Sequence, residues 1–596
     1  MEQPIWWASP APSPPTMTGC ARPGKRQVTR LSKGAIMDIT ITISGEAGQG
    51  IQTLGSLVAR ALFDRGYYVV QDESYHSRIR GGLDATTIRA SDVPHHAVQP
   101  LIDLFVPLAS SVVPYHLAGN GHESEIGPST RTLCDTKSGV DLPATTLVPS
   151  VERAKTLAGD ARAANVFLFG AICRMLGIPL AAATAVARKE LPAKILEKNL
   201  PVLEDGYAQP VTEAWSLPVR KLNHHLLANA SQSIGAAAIV AGVKFYSGYP
   251  MSPGSGIMNY LAAHAEQYGI VVEQAEDEIS AANMAVGASY AGVRQMVSTS
   301  GGGFALMVEA LSLAGMTETP IVIVDAQRPA PATGLPTRTE QSDLWFVLHA
   351  GHGEFVRYLS APRTAEDAFT LTLKAYELSS KYQIPAIILS DQQLADTRVT
   401  VPRWDLGEVH LDRHLAEPGS YQEPYERFAL TPSGVSPRLV PLQTDWPVIV
   451  DSDEHDESGH LTEDLDIREH MVGKRLHRQQ DLLSDMEEPI VLGNGPTLLV
   501  GWGSSFGALE ELVLDHPTDL RLVHFNEVWP LRTKLLLAEM ERARLVIAVE
   551  GNATAQFAQL IARETGKRIE HSVLRYDGRP LSAAYIEGKL HELEVI

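Results

Sequence analysis

Met37-Asp38-Ile39-Thr40-Ile41-Thr42-Ile43-Ser44-Gly45-Glu46-Ala47-Gly48-Gln49-Gly50-Ile51 is the stretch on which the reading of this chain turns. Apolar and polar residues alternate from Asp38 to Ser44, the period-two pattern of a half-buried strand. Glycines follow at 45, 48 and 50, and then Ile51, Leu54, Leu57, Val58, Ala61 and Leu62 recur at helical spacing. After Gly66 a second strand reads Tyr67–Val70. Strand, glycine turn, helix and strand make a βαβ unit, which predicts a parallel sheet.

The same alternation continues outward in three blocks. In the first, residues 37–210, later helices are expected at Ala163–Leu176 and Pro179–Leu191. In the second, 211–403, strands Val243–Tyr246, Ile270–Gln274, Gln295–Ser298, Pro320–Asp325 and Pro385–Ser390 alternate with helices such as Ala230–Ala241, Ala281–Tyr290 and Ala365–Lys381. The third, 491–596, opens with strand Thr497–Trp502. The predicted class is α/β, with three Rossmann-like parallel-sheet domains. Residues 404–490 break the pattern and read as a linker or insertion, in which Asp451-Ser452-Asp453-Glu454-His455-Asp456-Glu457 is expected to be a solvated loop rather than a metal site. Residues 1–36, with prolines at 4, 10, 12, 14, 15 and 23, are expected to be a disordered, dispensable tail.

Of 596 residues, 44% are hydrophobic and 20% charged, which is ordinary globular composition and argues against a disordered chain. Lys and Arg number 50 and Asp and Glu 70, a net charge of −20. So acidic a surface disfavours nucleic acid or an anionic membrane as the main partner. No stretch approaches the roughly 20 apolar residues of a membrane span. The three cysteines, Cys20, Cys134 and Cys173, lie far apart. They fit a reducing cytoplasm and cannot by themselves supply four thiolates to zinc or to an iron–sulfur cluster.

Five segments can carry chemistry. The turn Gly45–Gly50 either offers backbone N–H groups to an anion at a helix start or is a tight packing turn; its spacing is not the dinucleotide G-x-G-x-x-G. Gly248-Tyr249-Pro250-Met251-Ser252-Pro253-Gly254-Ser255 follows a strand, where open α/β sheets bind ligands, yet alone it is equally a stiff turn. Glu273, Glu276, Asp277 and Glu278 precede a helix of small residues. Acids there complement the helix dipole. Alternatively, one carboxyl is buried against Ala281, Ala282 and Met284 and shares a proton with a ring nitrogen. Ser298-Thr299-Ser300-Gly301-Gly302-Gly303 precedes another helix, and Arg338 lies in the loop after Gln327-Arg328-Pro329, either solvated or holding a carboxylate.

Taken in order, these segments resemble the 2-oxoacid:ferredoxin oxidoreductases, in the form whose small gamma domain is fused ahead of the alpha portion. The gamma-like part is Gly45–Gly50 with Tyr75-His76-Ser77-Arg78-Ile79-Arg80-Gly81-Gly82. The alpha-like part is Gly248–Ser255, Glu276–Gly287, Ser300–Ala310 and Asp325–Gln341, and the last block ends with Glu550-Gly551-Asn552 and Tyr576-Asp577-Gly578-Arg579-Pro580. The resemblance implies a gamma domain at 37–210, a pyrimidine-type thiamine diphosphate domain at 211–403 and a transketolase-like carboxyl-terminal domain at 491–596. The family's Y-P-I-T-P-S-S loop is matched with Met251 for Ile, Ser252 for Thr and Gly254 for the first Ser. Thiamine enzymes place a Glu nine residues before a glycine in a pattern like E-x-x-A-A-x-M-A-x-G; counting back from Gly287 selects Glu278 over Glu276.

The resemblance implies that Glu278 is the catalytic carboxyl beside the aminopyrimidine, that Tyr249, Pro250, Gly301 and Gly302 also meet the cofactor, and that Ser252 and Arg338 meet the substrate. No metal ligand is expected in this chain. A separate beta subunit, in a heterodimer or a dimer of heterodimers, would supply Mg2+ and a 4Fe-4S cluster. Coenzyme A is the implied co-substrate and ferredoxin the electron acceptor. The implied reaction converts a 2-oxoacid, 2-oxoglutarate first, with CoA and oxidised ferredoxin to acyl-CoA, CO2 and reduced ferredoxin. A non-oxidative thiamine enzyme subunit and a non-catalytic Rossmann-like binding protein are the alternative readings.

Overall fold

The alternation that begins at Asp38 becomes a strand, Asp38–Glu46, with Ile39, Ile41 and Ile43 in the core. This is a computed structural model, and it describes residues 37–76, 82–117, 125–211, 215–407, 409, 411–417 and 419–596. The expected tail and residues 77–81 of the Tyr75–Gly82 motif lie outside the described residues.

The βαβ reading of the first block needs one correction. Asp38–Glu46 and Tyr68–Ser74 are not neighbours: Leu83–Ser91 lies between them, antiparallel to both, with Ile88 opposite Ile41 and Gln71. Tyr68–Ser74 and Leu83–Ser91 are consecutive strands, and a short connection lets them pair antiparallel where a parallel neighbour needs a crossover. The eight-stranded sheet runs Thr145–Val148, Ile126–Asp135, Ile102–Pro107, Asp38–Glu46, Leu83–Ser91, Tyr68–Ser74, Arg398–Pro402, His225–Ala228. Its last two strands come from within residues 211–403.

The second sheet has seven strands, in the order Glu527–Trp529, Tyr358–Ser360, Pro385–Asp391, Ile321–Gln327, Gln295–Thr299, Phe245–Gly248, Val271–Gln274. All pair in parallel except Glu527–Trp529, which arrives from the last block. There the Glu527 carboxylate accepts from Tyr358 at 2.7 Å and from Lys374 at 2.9 Å. The third sheet has five strands, Ile490–Gly493, Leu520–Phe525, Thr497–Trp502, Leu545–Glu550, His571–Leu574, and only the first is antiparallel. One apolar core joins the second and third sheets, with Ile323 and Leu389 in the same cluster as Leu498 and Trp502. The three blocks are therefore interlocked through exchanged strands.

Residues 404–490 contain a helix, Leu465–Asp485, that docks by charge: Lys474 donates to the fully buried Glu318 at 2.8 Å. The 451–457 run is not the solvated loop its composition predicts. Glu454 accepts from Arg475 at 3.0 Å, and His455 is fully buried with its ring 3.9 Å from that of Phe428. Of its five acids only Asp453 is exposed, and Asp451, Glu454, Asp456 and Glu457 are half-buried.

Candidate active site

Strands Gln295–Thr299, Phe245–Gly248 and Val271–Gln274 are parallel neighbours, so their carboxyl ends open on one side of the sheet. From them issue the 249–255 loop, the acidic segment and the glycine-rich turn.

Within the acidic segment the roles divide. Asp277 is the N-cap of helix Glu278–Tyr290, accepting from the Ser280 amide at 2.7 Å while the Ser280 hydroxyl closes the capping box. That amide holds the Asp277 carboxyl below its ordinary range. Glu276 is exposed. Glu278, relieved of capping, is 3% exposed, and its Oε1 is buried with no hydrogen-bond partner among the described residues. Ala281 and Ala282 are buried beside it, but Met284, expected to help bury it, is exposed: it points off the outer face of the helix.

The glycine turn comes up against this carboxyl. A Cβ on Gly303 would sit 2.4 Å from Glu278 Oε1 and 2.2 Å from Thr299 Oγ1. Only a glycine leaves that space, since no heavy atoms pack so closely. Gly301 instead abuts Asp343, whose carboxylate would be 2.4 Å from an added Cβ, and Gly302 is exposed. Gly303 was not among the residues singled out from the sequence; the run of three glycines signalled a close approach without saying which one makes it.

The 249–255 loop is fastened from below. Ser298 Oγ donates to Gly254 O at 3.0 Å and lies 2.5 Å from the Tyr246 hydroxyl. A Cβ on Gly254 would meet Thr299 O at 2.7 Å. Tyr249, Pro250 and Ser252 are exposed at the top of the loop. Arg328 donates to Ser252 O at 2.6 Å, a role the sequence did not suggest. The structure thus brings Glu278, Thr299, Gly303 and the loop into one cluster.

Arg338 makes no hydrogen bond to that cluster. Its Nη1 donates to Ser74 Oγ at 2.5 Å, across to the first sheet, and the adjacent Thr337 hydroxyl donates to Tyr75 O at 2.7 Å. Arg338 lines a cavity of about 610 Å3 with Asp72, Ser74, Gln392 and Arg575.

A second group of acids lies beside the cluster. Asp325 is fully buried, neither carboxylate oxygen has a partner among the described residues, and burial followed by the charge of Asp343 pushes its carboxyl well up. Burial also raises Asp343 to about 6, against the pull of Arg328. Glu340 is raised to about 7 by burial and then by Asp343, with a hydrogen bond from Ser342 acting the other way.

An unsatisfied buried carboxylate oxygen is expensive in a folded protein, and the space around it excludes a Cβ. Oε1 of Glu278 is therefore left available to a hydrogen-bonding group from outside the described residues. That fits an aminopyrimidine ring, whose nitrogen can share a proton with a carboxyl.

Comparison with known proteins identifies the class. Residues 236–474 match the family described as "Pyruvate flavodoxin/ferredoxin oxidoreductase, thiamine diP-bdg", and residues 40–209 the one described as "Pyruvate ferredoxin/flavodoxin oxidoreductase". The chain is 31% identical over 622 residues to the 2-oxoacid:ferredoxin oxidoreductase subunit alpha of Sulfolobus sp, covering 93% of this chain and 96% of that one. It is 32% identical over 379 residues to the 2-oxoglutarate oxidoreductase subunit KorA of Mycobacterium tuberculosis, covering 59% of this chain and 56% of that one. A solved structure, the 2-oxoglutarate:ferredoxin oxidoreductase from Magnetococcus marinus with 2-oxoglutarate, coenzyme A and succinyl-CoA bound, superimposes with a TM-score of 0.85 at 28% identity, covering 93% of this chain and 99% of that one. Fold and site define an oxidoreductase subunit with a thiamine diphosphate-binding domain. The chain belongs to the 2-oxoacid:ferredoxin oxidoreductases, as an alpha subunit.

Proposed function

We propose that this chain forms the pyrimidine side of a thiamine diphosphate site, and part of the 2-oxoacid pocket, in a 2-oxoglutarate:ferredoxin oxidoreductase completed by a beta subunit. The observation that carries the proposal is the buried, partnerless Oε1 of Glu278 in the space kept open by Gly303.

Glu278 Oε1 would hold the aminopyrimidine through N1′. Gly303 would leave room for the ring beside that carboxyl, with Gly301, Gly302, Tyr249 and Pro250 as further cofactor contacts. Thiamine diphosphate, when bound, supplies a nucleophilic carbon and accepts the electron pair released with CO2. Ser252 offers its hydroxyl to the 2-oxoacid, with its backbone fixed by Arg328. Arg338, whose Nη1 donates to Ser74 Oγ, would keep Nε and Nη2 for the substrate carboxylate. Mg2+, a 4Fe-4S cluster and the electron exit to ferredoxin belong to the beta subunit, with CoA as the acyl acceptor. The 2-oxoglutarate relatives in Mycobacterium and Magnetococcus support that substrate.

The test is to co-produce the chain with its beta partner and measure CoA-dependent viologen reduction over a panel of 2-oxoacids. 2-Oxoglutarate should exceed pyruvate in kcat/KM by at least about tenfold. Glu278→Gln in the assembled complex should lower turnover by about 100-fold or more. Full turnover by that variant refutes the role of Glu278, and a preference for pyruvate refutes the substrate.

A further inference from the structure

At the other edge of the second sheet, by the amino ends of strands Gln295–Thr299 and Ile321–Gln327, a small cavity of about 30 Å3 is lined by Arg294, Arg413 and Arg438 together with Ser289, Ser380 and Tyr376. These arginines belong to none of the machinery above. We propose that this cavity binds a monovalent anion of chloride size.

The argument begins with what the guanidiniums touch. Arg438 is 8% exposed and makes one hydrogen bond, from Nη2 to Ser289 O at 2.7 Å. Arg294 donates to Ala241 O and Asp412 O, each at 2.6 Å, and its buried Nε has no partner. Arg413 donates to Gly292 O. Every partner is a main-chain carbonyl, and none of the three arginines forms an ion pair among the described residues.

Helix ends account for part of this arrangement. Ser289 and Gly292 close the helix that starts at Glu278, and Ala241 closes helix Ala230–Val240. Each carboxyl end carries about half a negative charge. Glu377 and Asp412 add their charges toward Arg294. Arg438 is different. Its charged neighbours are Arg427 and Arg413, both of its own sign, and with burial they bring it down to about 9. Burial is the larger cause of that drop, and no carboxylate forms an ion pair with Arg438 among the described residues. A buried charge without a counter-ion is costly. A water-sized occupant needs about 10–15 Å3 of such space, so the cavity has room for a halide.

The full chain, purified with its partner, is tested by thermal unfolding in sodium chloride and in sodium gluconate at matched ionic strength. The midpoint should be higher by a few degrees in chloride, as expected for a ligand bound only by the folded state. Arg438→Gln should abolish that difference. Because Arg413 is exposed, Arg413→Gln offers a second variant that keeps the buried core, and it should shrink the difference. Crystals soaked in sodium bromide should show an anomalous peak between Arg294 and Arg438. An unchanged chloride dependence in both variants, or only a water bridging Arg294 Nε and the partnerless Gln295 Oε1 in the bromide crystals, overturns the proposal.

Discussion

Asp343 shows how the site's chemistry is tied to proton uptake. Its carboxyl is 7% exposed, lies against Gly301 and, through burial, titrates near 6. An unfolded aspartate titrates near about 3.9. A carboxyl raised on folding stabilises the fold below the unfolded value and loses that contribution as pH climbs through the folded one. For Asp343 the window runs from about 4 up to about 6, and Asp325 acts in the same direction. Asp343→Asn, which mimics the protonated form, should match the wild type in thermal midpoint near pH 4.5 and exceed it above pH 7. A gap that does not change with pH would remove Asp343 from this role. The same location explains what sequence alone could resolve here. Glu278 could be singled out because it lies nine residues before Gly287, whereas the capping by Asp277 emerged only from the structure. Gly303, Arg328 and Asp343 could not, because each acts through a through-space approach that depends on how a turn folds over a neighbouring strand.

The helix Leu465–Asp485 makes the corresponding case for secondary structure. Its buried positions include Lys474, Arg475 and Arg478 beside Met471 and Leu482, so the apolar repeat that normally betrays a docked helix is half hidden under charge. The long, fully buried strands such as Ile321–Gln327 were plain as apolar runs, but Glu527–Trp529 is too short to show a period, and Arg398–Pro402 finds its partner in Tyr68–Ser74, far back in the chain. What holds the hidden helix is Glu318, fully buried with a left-handed φ of 50°, facing Lys474 at 2.8 Å and Arg478 at 3.4 Å. Burial alone would raise this carboxyl, but Lys474, Arg478 and Arg427 outweigh it and hold it at about 2. Its contribution is therefore in place above the ordinary carboxylate range and is lost only as pH falls toward about 2. Glu318→Ala strands three cations in the core and should cost about 3–5 kcal/mol in denaturant unfolding. The pair replacement Glu318→Leu with Lys474→Met should recover part of that loss, since it removes one of the three cations and leaves Arg478 and Arg427. A single variant as stable as the wild type would show that the helix is held by its few apolar contacts instead.

For the molecule as a whole, the decisive feature is the exposed side of the second sheet. Tyr249, Ile279, Met284, Leu306 and Leu335 are large apolar residues left at the surface on the loops and helices around Glu278. The proposed beta subunit would cover these apolar groups, since an exposed apolar patch is a feature of interaction surfaces. The redox side points the same way. The chain has three cysteines, Cys20, Cys134 and Cys173, too few for the four thiolates of a cubane cluster, so the proposed reading assigns that cluster to the beta subunit. The chain purified alone should therefore give no 2-oxoacid-dependent viologen reduction, even with thiamine diphosphate, Mg2+ and CoA present. Adding a separately purified beta chain should restore turnover in proportion to the complex formed, and Leu306→Glu should weaken that association while leaving the chain's own thermal midpoint near the wild-type value. Turnover by the isolated chain at the rate of the complex would mean that the exposed apolar side serves some other contact, and that a complete site lies within these 596 residues.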